Sequence, residues 1–317
     1  MVIQILLIII GFMFLIKGAD ILVEGSSAIA KKLHISEIII GLTIVSIGTS
    51  MPELFVSITS AKEGYSDMSI GNVIGSNICN LLFILGLSAL IRPVKFQKQT
   101  KWIENPMSII LTIIFLIICN TNQDVSRIEG VTLIILFILF LIYTVIMGIR
   151  GQKYETIIEL STEEIKEISI LKNIMLVILG IVMLKIGGDL VVNNSEKIAI
   201  MLNVSEKIIG LTIVAIGTSL PELVTSITAA IKGDSDIAIG NIVGSNIFNM
   251  LLIIGVAATI KPITYNITYN SQMIILFIGM MLMLIFPFMK PKDEMSRGNG
   301  LIFVLLYIFY MARLLLA

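Results

Sequence analysis

Long apolar runs alternate with short polar breaks along the whole chain. Ten runs are long enough, or nearly so, for a helix to cross a bilayer, which takes about 20 mostly apolar residues. They lie at about 2–24, 36–61, 69–91, 105–120, 129–149, 170–192, 205–231, 237–260, 272–289 and 299–316. The longest polar connection is 150–169, RGQKYETIIELSTEEIKEIS, too short for a domain of its own and read as an interfacial helix or a flexible link. The first run, Val2 to Ile16, has no basic residue before it and no small-residue cleavage site, so it reads as a retained span. The pattern predicts an all-α polytopic membrane protein with ten transmembrane helices.

Composition agrees. The 317 residues are 56% hydrophobic and only 14% charged, too little charge for water to solvate a soluble domain of this size. Lys+Arg equals Asp+Glu, so net charge points to no nucleic acid and to no other charged partner. The basic residues are unevenly placed. With the N-terminus outside, the inner connections hold Lys31, Lys32, Arg92, Lys95, Lys98, Lys101, Arg150, Lys172, Lys232, Lys290, Lys292 and Arg297 among others. The outer ones hold Lys62, Arg127, Lys197, Lys207, Lys261 and Arg313. The excess of inner cations predicts that both termini are extracellular. Cys79 and Cys119 fall in apolar runs and read as small core residues, and the 17 methionines as adaptable packing.

One stretch breaks the apolar pattern from within, and it occurs twice. GLTIVSIGTSMPELFVS (41–57) returns as GLTIVAIGTSLPELVTS (210–226). The match extends without a gap from 33–80 to 202–249, with about two thirds of the positions identical. The copies are separated by five spans. Five is odd, so the second copy enters the membrane from the opposite face. The expected organisation is two inverted five-helix repeats, 1–149 and 170–317, joined by a cytoplasmic loop at 150–169. Secondary transporters are often built this way, with the site at the repeat interface near the midplane. A duplication kept only for packing would preserve hydropathy and small residues. It gives no reason to preserve T-S-x-P-E and G-x-x-G-S-N-x-x-N, which are costly in lipid.

Proline lacks an N–H and clashes with the preceding turn. Pro52 therefore frees the Gly48 carbonyl and distorts the turn through Thr49 and Ser50, and Pro221 does the same to Gly217, Thr218 and Ser219. Lipid cannot satisfy a freed carbonyl, so such a break survives where it lines a polar cavity or binds something. A bare proline kink is common in membrane helices. Here each kink is followed at once by a carboxylate, Glu53 or Glu222. Carbonyl, hydroxyl and carboxylate oxygens in one turn suit Ca²⁺ or Na⁺ and are poor for Zn²⁺. In the second motif Ser76 and Asn80 share a helix face, as do Ser245 and Asn249, and are read as neutral oxygen ligands. The glycines Gly71, Gly75, Gly240 and Gly244 are read as helix packing.

G-T-S-x-P-E followed by G-N-x-x-G-S-N in both halves of a ten-span chain resembles the sodium/calcium exchangers of the cation/calcium antiporter superfamily, in a minimal, prokaryotic-type form. The resemblance implies a secondary active antiporter that exchanges Na⁺ for Ca²⁺ across the cell membrane by alternating access and electrogenically. It implies no enzyme activity and no cofactor; Na⁺ and Ca²⁺ are the substrates. It further implies Glu53 and Glu222 as the paired Ca²⁺ carboxylates, also shared with Na⁺. Thr49 and Thr218 would offer backbone carbonyls to Ca²⁺. Ser50, Ser219, Ser76 and Ser245 would complete Na⁺ sites with backbone help near Ser46 and Ala215, and Asn80 and Asn249 match the remaining central positions.

Potassium-dependent relatives carry Asp where Asn249 stands, which argues for potassium independence. Proton-coupled relatives have an acidic residue and often a His in the second motif. Here that region holds Gly75-Ser76 and Gly244-Ser245, and the single histidine, His34, lies at a span end. A potassium-dependent or proton-coupled cation antiporter is the alternative. An intramembrane acid protease would need a nucleophile or water path and a groove that the pattern does not supply, and a channel would pass Ca²⁺ without counter-ion. Two further pairs, Lys17/Asp20 and Lys185/Asp189, have the spacing of a bond on one helix face and read as local pairs at span ends or as a gate.

Overall fold

A computed structural model describes residues 1–33, 35–151, 169–202 and 215–316. His34, most of the 150–169 connection and the first ten residues of the 205–231 run fall outside these. Among the described residues, eight helices are long and apolar enough to span, and a ninth span is a bent pair, Glu37–Thr49 with Met51–Glu63. The order is α1 (Val2–Leu33), α2 (Glu37–Thr49), α3 (Met51–Glu63), α4 (Ser66–Ile91), α5 (Thr100–Thr121), α6 (Arg127–Gly151) and α7 (Ile170–Met201). Then come α8 (Ala215–Thr218), α9 (Leu220–Lys232), α10 (Ser235–Ile260), α11 (Ile267–Phe288) and α12 (Arg297–Leu316). The seventh predicted span, 205–231, corresponds to α8 and α9 and is described only from Ala215 onward.

The helices sort by what their sequences can bury. In α10 94% of the most apolar window is inside the protein, and in α4 72%, against 22% in α1. α4 and α10 carry the polar second motif and form the centre. Their outer neighbours expose Ile, Leu and Phe, as residues facing lipid should. Each central helix crosses a helix of the other half at a glycine. A Cβ on Gly86 of α4 would lie 3.0 Å from the Gly300 carbonyl of α12, and one on Gly130 of α6 would lie 2.8 Å from the Gly255 carbonyl of α10. Short antiparallel strand pairs also join the halves: β1 (Val94–Lys95) with β4 (Glu294–Met295), and β2 (Asp124–Val125) with β3 (Ile263–Thr264).

α1 and α7 are longer than their apolar runs, at 32 residues each. Nothing in Glu24–Leu33 or Asn193–Met201 breaks a helix, so both continue past the hydrocarbon. They pack as an antiparallel pair along a glycine seam. A Cβ on Gly18 would sit 2.9 Å from the Gly180 carbonyl, and one on Gly187 would sit 2.7 Å from that of Gly11. Without side chains at the contact the backbones approach closely, the small-residue route to helix association in lipid. Gly18→Val should force them apart at a cost of about 1–3 kcal/mol. The expected result is a melting temperature in detergent lower by several degrees, and an unchanged melting curve would show that the seam tolerates bulk.

Candidate functional site: a two-fold cage of oxygens between broken helices

The break falls two residues before the proline. Ser50 leaves the helical region (φ −86°, ψ 10°), and so does Ser219 (φ −88°, ψ 9°). Pro52 and Pro221 then occupy the first turn of the following helix, where a missing N–H costs least. α2 and α3 meet at 49°. Each second segment opens with its glutamate in the first turn, where a helix N-terminus favours negative charge, and closes on a left-handed glycine, Gly64 (φ 90°) or Gly233 (φ 93°).

The cage is assembled across the two halves. Ser50 Oγ donates to Glu222 Oε1 at 2.6 Å, and Ser219 Oγ donates to Glu53 Oε1 at 3.2 Å. Each break therefore binds the carboxylate of the other copy. Ser76 Oγ approaches Glu53 Oε1 at 3.5 Å, and Ser245 Oγ approaches the Ser46 carbonyl at the same distance. Behind these, the central helices are locked reciprocally. Asn77 Nδ2 donates to the Asn246 carbonyl at 3.2 Å, and Asn246 Nδ2 to that of Asn77 at 3.3 Å. Asn80 Nδ2 donates to Asn246 Oδ1 at 3.3 Å, and Asn249 Nδ2 to Asn77 Oδ1 at 3.0 Å. In α4 the helix widens to i→i+5 bonding at Cys79–Ile84, and in α10 at the repeat-matched Phe248–Ile253, a distortion frequent at functional sites.

These amide locks fix which atoms remain. Glu53, Glu222, Asn80 and Asn249 are fully buried. Among the described residues, Glu53 Oε2, Glu222 Oε2, Asn80 Oδ1 and Asn249 Oδ1 have no hydrogen-bond partner. All four are acceptors, and they form two repeat-related pairs. Buried acceptors are costly unless satisfied, and carboxylates far more so. An all-oxygen set with two carboxylates fits a hard cation. Among the described residues no group of three or more His, Cys, Asp or Glu is placed to hold a metal ion.

Of the predicted site residues, Glu53, Glu222, Thr49, Ser50, Ser219, Ser76, Ser245, Asn80, Asn249 and the Ser46 carbonyl join this network. Thr218 stands at the second break with its hydroxyl unpartnered among the described residues, and Ala215 is the first described residue of the helical segment before it. Residue-by-residue reading missed Asn72 and Asn241. Asn72 Nδ2 donates to the Glu53 carbonyl (3.4 Å) and Ser57 Oγ (3.1 Å); Asn241 Nδ2 donates to the Glu222 carbonyl (3.4 Å) and Ser226 Oγ (2.9 Å). The signal was present, since both stand in the repeated G-N-x-x-G-S-N.

The predicted Lys17–Asp20 and Lys185–Asp189 pairs form at 3.7 and 2.8 Å. Asp20 has a closer partner. Lys232, at the end of α9, reaches Asp20 Oδ1 at 2.5 Å and Glu24 Oε1 at 3.0 Å, tying α1 to the second broken span. Lys232 is about a quarter exposed, so the tie should be worth about 1 kcal/mol. Lys232→Ala and Asp20→Ala are expected to lower the melting temperature less together than the sum of each alone. Full additivity would show that the pair does not couple.

Comparison with known proteins agrees with this geometry. The family profile described as sodium/calcium exchanger protein matches residues 3–146 and again 172–316. The putative antiporter CaxA of Alkalimonas amylolytica is 37% identical over 83% of this chain and 82% of its own. The sodium/calcium exchanger MaX1 of Methanosarcina acetivorans is 30% identical over 96% and 97%. A solved structure of the sodium-calcium exchanger NCX_Mj, soaked with Na⁺ and Ca²⁺, superposes with a TM-score of 0.85 at 33% identity over 98% of both chains. With the profile matching both halves and a relative aligned end to end, this polytopic helical membrane protein belongs to the sodium/calcium exchanger family.

Proposed function

We propose that this chain is a secondary active antiporter that exchanges Na⁺ for Ca²⁺ by alternating access, with the cage between the broken helices as its ion site. One observation carries the reading: four buried acceptor oxygens, two of them carboxylate, stand unpartnered in repeat-related pairs. Glu53 and Glu222 supply the charge that one Ca²⁺ balances. Asn80 and Asn249 supply neutral carbonyls, and the backbone carbonyls of Thr49 and Thr218, beside the breaks, extend the Ca²⁺ shell. Ser50, Ser219, Ser76 and Ser245, with the backbone at Ser46 and Ala215, offer the further oxygens that several Na⁺ require.

Coupling follows from the cost of burial. Two ionised carboxylates away from water cost several kcal/mol each unless they are matched by cations. Either Ca²⁺ or Na⁺ can match them, but an empty cage cannot cheaply pass through an occluded state. The protein therefore changes its facing only when loaded, which makes it an exchanger and not a leak. Ca²⁺ and Na⁺ are close in size, so selection rests on charge and ligand number.

The organisation that fits is two inverted five-helix repeats, 1–149 and 170–317, joined by a cytoplasmic connection at 150–169. Both termini face outward from the cell membrane, and α1 with α7 moves as a pair against the rest. The test is ⁴⁵Ca²⁺ uptake into proteoliposomes along an outward Na⁺ gradient, with voltage clamped and K⁺ present or absent. Uptake should require the Na⁺ gradient, ignore K⁺, and quicken at inside-positive voltage if more than two Na⁺ leave per Ca²⁺. Uptake that persists without internal Na⁺ would overturn the antiport reading.

A further inference from the structure

The oxygen cage obeys the repeat, but the contacts just behind it do not. Thr49 Oγ1, at the first break, donates to Asn241 Oδ1 at 3.0 Å, and both residues are fully buried. The repeat-matched pair is Thr218 and Asn72. Thr218 Oγ1 has no hydrogen-bond partner among the described residues. Thr218 and Asn72 instead line a cavity of about 420 Å³ together with Val56 and Gly75. Thr218, Val56 and Pro221 also line a second cavity of about 440 Å³ that reaches Asp189. At the matching position of the other copy, Thr225 stands where Val56 stands, and it is fully buried.

The face of α10 beside Asn241 is covered by α2. A Cβ on Gly240 would lie 2.7 Å from the Ile38 carbonyl, and one on Gly244 would lie 2.7 Å from that of Leu42. The Lys232 tie to Asp20 and Glu24 lies at the end of the same half. The repeat-matched pair has no such attraction, because Glu63 stands where Lys232 does while Asp189 matches Asp20.

We infer that Asn241 and Asn72 are a matched pair of positioning residues, each linking one glutamate-bearing turn to the helix break of the other repeat. The amide of each asparagine holds its own glutamate's turn through the carbonyl of Glu222 or Glu53. The oxygen of each is the acceptor for the opposing threonine. Thr49–Asn241 is made here; Thr218–Asn72 is unmade, and both of its residues line the 420 Å³ cavity. The exchange of facing swaps the two bonds, so that closing one side releases the other. The amide's hold on the glutamate is what ties that swap to the ion site. This inference rests on the alternating-access reading above.

The test uses the full chain in detergent, with Cys79→Ala and Cys119→Ala to remove the native thiols. Val56→Cys and Thr225→Cys serve as matched reporters, and the probe is a charged, water-soluble methanethiosulfonate. Val56→Cys should react readily and Thr225→Cys slowly. Thr49→Val removes the donor with little change of shape and should speed labelling of Thr225→Cys about tenfold, the shift expected from one buried hydrogen bond. Asn241→Leu should do the same by removing the acceptor, and Thr218→Val should not. Labelling of Thr225→Cys that stays within twofold in both Thr49→Val and Asn241→Leu overturns the inference. So does an equal increase with Thr218→Val, which would mean general loosening. Labelling reports facing whichever ion is carried. A failure of Na⁺-driven uptake in the unmodified protein would instead count against the function, so the two failures are distinguishable.

Discussion

Glu222→Gln is expected to reduce Na⁺-driven ⁴⁵Ca²⁺ uptake at least about a hundredfold while the protein still folds. The substitution removes one of the two charges that balance Ca²⁺ and puts an amide where an acceptor stood. Ser50 can still donate to the remaining oxygen, so the link across the halves that it makes at 2.6 Å survives. What is lost is the unpartnered Oε2. Breaking a buried ionic pairing by removing one partner typically costs about 3–5 kcal/mol, and the lower figure is already more than a hundredfold in binding. Glu53→Gln should behave alike, because Ser219 holds Glu53 as Ser50 holds Glu222. A monodisperse elution profile would show the variants folded. Uptake above half the unmodified rate in either would remove that residue from the site.

Asn249→Asp should change which monovalent ions support exchange. Asn249 Nδ2 donates to Asn77 Oδ1 at 3.0 Å, while Asn77 Nδ2 is held by the Asn246 carbonyl at 3.2 Å. An ionised Asp cannot donate, so two oxygens would face each other beside two carboxylates already present. The expected result is at least tenfold slower exchange with Na⁺ alone. Two conditions should restore part of it. Added K⁺ can neutralise the third charge, and lower pH can protonate the new carboxyl so that it donates to Asn77 again. The sign is clear: the variant should recover as pH falls. Flux assays with K⁺ and pH varied decide this. An unchanged response to both would show that the amide at 249 sets neither charge nor geometry.

These expectations fall on residues that the chain announces by itself. The repeated G-T-S-x-P-E and G-N-x-x-G-S-N mark Glu53, Glu222, Ser50, Ser219, Ser76, Ser245, Asn80 and Asn249 because polar groups are expensive in lipid and a duplicate keeps them only for use. The breaks were legible too, since proline's missing N–H is a local property. So was the odd number of spans between copies, which orients the second against the first. Helix ends were less legible: α1 and α7 run on past their apolar stretches because a polar residue does not by itself end a helix.

Only the folded chain decided who binds whom. Hydropathy gives no means of knowing that Ser50 holds Glu222 and not Glu53, that Lys232 approaches Asp20 more closely than its neighbour Lys17 does, or that Gly18 meets Gly180. Those partners are distant along the chain, and their register depends on how closely glycine-bearing backbones can approach. Nor could a nearly two-fold sequence say which of two equivalent bonds is made. Thr49 and Thr218 stand in the same motif, yet Thr49 alone reaches its asparagine. That difference belongs to a conformational state, set by which face the helices have closed, and side-chain chemistry shared by both copies leaves it open.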